Sequence, residues 1–90
     1  MAFQVILTGS GVVKQQGNLA KLCGYDVIVV TATGAINLRD GGASGTIRMV
    51  IPAATAAGSH RNMATPMQFN DGIYAEFNGG ATGTVGFLVE

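Results

Sequence analysis

Apolar and polar residues alternate along most of this chain, in short runs cut by glycine-rich turns. Phe3 to Thr8 is a β-rich opening run that ends at Gly9-Ser10-Gly11. Val12-Val13-Lys14 reads as a short edge strand or a loop arm, and Gln15 to Asn18 as a polar turn. Leu19 to Cys23 has a trace of helical character, but Gly24 stops it, so it is expected to be extended or at most one turn. Tyr25 to Thr31 is the strongest strand. Its Val27-Ile28-Val29-Val30 run is apolar in both phases, as in a strand covered on both sides or one facing both the core and a subunit interface.

The second half alternates more cleanly. Ala35 to Arg39 places Ile36 and Leu38 on one side. Thr46 to Ile51 is expected to point Ile47, Met49 and Ile51 inward, and Pro52 ends it. Ala53 to Gly58 lacks large apolar anchors and reads as a loop. Ser59 to Met63 is a polar edge strand, Pro66 breaks the chain, and Met67-Gln68-Phe69 resumes it. Ile73 to Phe77 turns Ile73, Ala75 and Phe77 inward; Thr84 to Val89 does the same with Val85, Phe87 and Val89.

The turns carry their own signal. Asp40-Gly41, Asp71-Gly72 and Asn78-Gly79 suit the positive φ angles of tight hairpins. Two hairpins are expected, joining Ile36–Arg39 to Thr46–Ile51 and Ile73–Phe77 to Thr84–Val89. Seven or eight short strands at this spacing predict an all-β fold: a compact antiparallel β-sandwich or a jelly-roll-like small barrel. Residues 1–90 read as a single β domain, with residues 1–24 as an N-terminal arm or as edge strands.

Composition adds a surface problem. Hydrophobic residues make up 48% of the chain and charged ones 11%, where about 25% charged is usual. Twelve alanines soften that excess without removing it. So little charge implies that part of the surface is covered by another chain. The five basic residues balance the five acidic ones and form no cluster, which argues against nucleic acid as a partner. The opening run has no basic flank and is not expected to be a signal peptide, and Val27–Val30 is too short to span a bilayer, so no membrane role is expected.

Candidate chemistry is sparse. His60 is the single histidine; the serines Ser10, Ser44 and Ser59 sit in no nucleophile motif. His60 is expected to be an exposed polar residue. The acids are Asp26, Asp40, Asp71, Glu76 and Glu90; Asp40 and Asp71 have turn positions rather than forming a glycosidase pair, and Asn70-Asp71 with Asn78 is too sparse for a calcium loop. The glycine clusters match no phosphate-binding fingerprint. Cys23 has no partner for a disulfide and no base beside it, so a buried, inert thiol is expected. Phe69, Phe77 and Phe87 read as core, and Tyr74 as the outward aromatic best placed for a contact. No catalytic, cofactor-binding or metal-binding residue is assigned, and no enzymatic activity is expected.

Ile36 to Ile47, with its Leu38-Arg39-Asp40-Gly41 and Gly45-Thr46-Ile47 steps, followed by Gly72-Ile73-Tyr74 and Gly83-Thr84-Val85, resembles a family of small tailed-bacteriophage virion proteins. The resemblance covers about residues 25–89. It implies a non-enzymatic virion component, either a capsid decoration (cement) protein or a neck or tail part. The expected partners are then copies of the chain itself, as a homotrimer, and the major capsid protein. The expected location is the capsid surface of a virion made in the host cytoplasm. The alternative is a fibre component that binds a carbohydrate or receptor.

Overall fold

The computed structural model describes residues 3–32, 34–52, 56–78 and 82–90. Eight strands follow one another: β1 (Phe3–Leu7), β2 (Gly11–Lys14), β3 (Ala20–Ala32), β4 (Ile36–Asp40), β5 (Thr46–Ile51), β6 (His60–Phe69), β7 (Ile73–Phe77) and β8 (Thr82–Val89). They form two four-stranded antiparallel sheets, ordered β1-β8-β3-β6 and β2-β7-β4-β5.

That order has a simple origin. β1 pairs β8, β2 pairs β7, β3 pairs β6 and β4 pairs β5. The chain is one long hairpin with its tip between β4 and β5. Rolling that hairpin adds the β3–β8 and β4–β7 pairings and divides it into two sheets. This is the winding of a jelly roll.

The two sheets share a core. Leu22, Phe69, Val85, Phe87 and Val89 from the first sheet meet Ile36, Leu38, Ile51, Ile73 and Phe77 from the second. Each such side chain contributes roughly 1.5–3 kcal/mol when fully buried. The alternation read from the sequence therefore holds for β4, β7 and β8. Phe69, Phe77 and Phe87 are core residues.

Several expectations need correction. The β7–β8 hairpin does not form, because the two strands lie in different sheets. Alternation reports which side of a strand is buried; it cannot tell a neighbour in the ladder from a strand facing it across the core. Asp71-Gly72 and Asn78 accordingly begin crossovers between sheets, and Gly79 lies outside the described residues. The β4–β5 connection is a hairpin, but with a five-residue loop (41–45) in which Gly41 and Gly42 have φ of 102° and 85°. Ile47 is 43% exposed rather than inward. The β4–β5 register steps from Leu38–Met49 to Arg39–Ile47, and the extra residue, Arg48, puts Ile47 out of phase with Met49.

Strand β3 begins at Ala20, so Ala20–Cys23 is extended, as one of its two readings expected. Val27 is buried, but Ile28 and Val29 are both exposed, since a register shift against β8 falls between Val27 and Val29. Within one chain, then, Ile28 and Val29 are uncovered, which excludes a strand buried on both sides by its own sheets. Nor does Pro66 break β6. The β3–β6 register jumps from Leu22–Met67 to Gly24–Asn62, and residues 63–66 lie in the gap, where an edge strand tolerates proline. Of the predicted loop at Ala53–Gly58, residues 53–55 lie outside the described residues, and 56–58 form a turn. The segment 1–24 supplies β1 and β2, one edge of each sheet, together with the start of β3. Among the described residues no helix is long and apolar enough to cross a membrane.

Candidate functional site

The outer face of the second sheet gathers most of the polar chemistry. With Ile36 and Leu38 turned inward, β4 points Asn37 and Arg39 outward; with Ile73, Ala75 and Phe77 inward, β7 points Tyr74 and Glu76 outward. The register aligns Glu76, Asn37 and Val50 in one row and Val12, Tyr74, Arg39 and Ile47 in the next.

Glu76 is the hub. Its Oε1 accepts N–H groups from Asn37 Nδ2 at 3.0 Å and from Arg39 Nε and Nη2 at 3.2 and 3.0 Å. Arg39 Nη1 also donates to the Gly45 carbonyl at 2.7 Å, which anchors the β4–β5 loop. Asn37 is only 8% exposed although it lies on an outer face. The hydrogen bonds from Asn37, and then those from Arg39, hold the Glu76 carboxyl below the usual glutamate range, against a smaller opposing effect of desolvation.

Beside this network lies a cleft of about 180 Å³, lined by Val12, Lys14, Gln15, Gln16, Gly42 and Tyr74 among others. Ligand pockets commonly span about 300–1,000 Å³, so this one suits a single small group. The loops beside it are tied together. Gln16 Nε2 donates to the Gly41 carbonyl at 2.9 Å, and the Asp71 carboxylate accepts the Gly17 N–H at 2.5 Å. The Lys14 ammonium makes no ion pair among the described residues. Tyr74, the aromatic singled out from the sequence, is half-buried and forms one wall.

The remaining candidates are dispersed. His60 is exposed at the start of β6, in register with Asp26, while Ser44 lies in the β4–β5 loop at the opposite end of the sandwich. Ser10 Oγ accepts the Phe77 N–H at 2.8 Å. Asp40 and Asp71 bind backbone amides. Cys23 is half-buried rather than buried, at the register shift where β3 departs from β8 and β6. Among the described residues no group of three or more His, Cys, Asp or Glu side chains is placed to hold a metal ion.

Sequence reading missed Lys14, Gln16 and Asn37 as members of a site. Arg39 and Glu76 carry the only signal, as opposite charges on outward phases, and it becomes readable once β4 is known to pair with β7. Comparison with protein-family models, with curated proteins and with solved structures found no match.

Proposed function

We propose that this chain is a structural virion protein, a capsid decoration or cement protein that docks on a phage head and stabilises it. The observation that carries this reading is the surface. Nine large apolar side chains are exposed among the described residues of a chain with only 11% charge. Eight of them lie on the two sheets, including Ile6, Ile28 and Leu88 on the first and Val12, Ile47 and Val50 on the second, and Leu19 lies in the β2–β3 connection. Spread this widely, they suit contacts with more than one neighbour, as a subunit in a shell has. The partners in this reading are other copies of the chain, as a homotrimer, and the major capsid protein. The jelly-roll winding agrees by analogy alone, since capsid and lectin domains share it with many others.

A second reading rests on the cleft. Tyr74 beside Lys14, which makes no ion pair among the described residues, and Gln16, whose amide donates to the Gly41 carbonyl, suits a small polar ligand, as in a fibre component that binds a carbohydrate or receptor. Quantitative mass spectrometry of purified particles separates the two. Hundreds of copies per particle support the shell role. A few to dozens support the fibre role, and absence from particles overturns both.

A further inference from the structure

Four strands edge the two sheets: β1 and β6 in the first, β2 and β5 in the second. An open edge presents unpaired N–H and C=O groups to any passing strand, and proteins guard such edges with charge, proline, bulges or brevity. Three of these edges are guarded. β6 carries His60, Arg61 and Pro66, and residues 63–66 leave its ladder. β5 bulges at Arg48 and runs into Pro52. β2 is four residues long, ends in Lys14 and shifts register before it.

β1, at five residues one longer than β2, has neither charge, proline nor bulge. Its sequence, Phe3-Gln4-Val5-Ile6-Leu7, lacks charge, proline and glycine, and all five residues keep unbroken register with β8. Its inner row is also left short of cover. Phe3, Val5 and Leu7 stand beside Val89, Phe87 and Val85, which are buried, yet Val5 and Leu7 are half-buried and Phe3 is 58% exposed. Ile6, on the other side, is 54% exposed.

We infer that β1 pairs antiparallel with β1 of a second copy across a two-fold axis, joining two four-stranded sheets into one of eight strands. The occupant follows from the strand itself. With no charge in it, two copies meet without opposing like charges. A register centred on Val5 sets Phe3 against Leu7 of the second copy and Gln4 against Ile6 of the second copy. Inner residues stay inner, so Phe3 gains the apolar neighbour that a single copy does not supply. The contact is isologous and closes on itself, which consumes the unguarded edge instead of propagating it into a fibre. The pairing is independent of the docking role, because a chain that never enters a particle would still associate through β1.

The test reverses charge on the outer side of β1, where the core is not touched. Gln4→Lys with Ile6→Lys sets like charges directly opposite one another twice in the proposed register; Gln4→Glu with Ile6→Glu does the same with the other sign. At about 100 µM, sedimentation equilibrium should give the wild-type protein twice the mass of either variant. An equimolar mixture of the two variants should regain the wild-type mass. Equal masses for wild type and the lysine variant, or a mixture that stays at half mass, overturn the inference. If a variant fails to fold by circular dichroism, hydrogen exchange of the wild type decides instead. Protection of the β1 amides should then rise with protein concentration, and protection independent of concentration overturns the pairing.

Discussion

Asp40 and Asp71 are linked in relay. Asp40 Oδ1 accepts the backbone N–H of Asp71 at 2.8 Å, and the Asp71 carboxylate in turn accepts the backbone N–H of Gly17 at 2.5 Å. Asp40 Oδ2 also accepts the Asn70 N–H at 3.0 Å and pairs with Arg48 at 3.5 Å. Three connections that are distant in sequence, β2–β3, β4–β5 and β6–β7, are thereby tied at one end of the sandwich.

Asp40→Ala removes two hydrogen bonds to a charged acceptor at once. Such bonds contribute roughly 1.5–3 kcal/mol each when buried and less where water competes, so a loss of about 2 kcal/mol is expected in urea unfolding. Asp40→Asn keeps one acceptor oxygen and should lose about half as much. A loss below about 0.5 kcal/mol for Asp40→Ala would mean that the relay does not bear on stability.

Gly72 and Gly17 both have positive φ, 77° and 85°, but differ in the space around them. A Cβ at Gly72 would lie 2.5 Å from the Gln15 carbonyl oxygen, whereas at Gly17 it would meet nothing within 4 Å. Gly17→Ala should cost only the left-handed backbone strain, ~1–2 kcal/mol. Gly72→Ala should cost clearly more, because the β2–β3 loop must also move. Thermal melts of the two variants would settle it, and equal shifts would mean that the close approach is not enforced.

Glu76 gives stability a pH dependence with a definite sign. Its folded carboxyl titrates below the ordinary value of about 4.5, first through the Asn37 hydrogen bond and then through those from Arg39. A depressed folded value means that the contribution is fully present above the unfolded value and is lost as pH falls through the lower folded one. Unfolding followed from pH 6 to pH 3 should therefore show a steeper loss for wild type than for Glu76→Gln. Parallel curves would assign the acid sensitivity to other carboxylates.

The inner rows of β4, β7 and β8 were legible because strict alternation fixes which side of a strand is buried, whatever lies beside it. Ile36, Leu38, Ala75 and Phe87 needed no partner to be placed. Ile47 departs from its inward phase because the bulge at Arg48 reflects the ladder with β4, not a local preference. The alternation of β7 and β8 predicts a hairpin because it looks alike in strands side by side and in strands face to face. The cleft was illegible for a related reason. Lys14, Gln16, Gly42 and Tyr74 come from two strands and two loops, and only the pairing of β7 with β2 on one side and β4 on the other brings them together.

If the chain cements a shell, its binding should respond to salt and temperature in a particular way. A protein that binds the assembled shell, and not its separate subunits, stabilises the shell by the binding free energy summed over sites. Here the exposed contact residues are apolar, such as Ile28, Ile47 and Val50, and the Arg39 charge is already engaged by Glu76. Docking driven by apolar burial should then change little between low and moderate salt, where a charged interface would weaken. Particles stripped of the protein should release their genome at lower temperature, and added protein should restore them at either salt concentration. Restoration that fails at moderate salt would indicate an electrostatic interface. Unchanged shell stability together with lost host attachment would favour the fibre reading and the cleft at Tyr74.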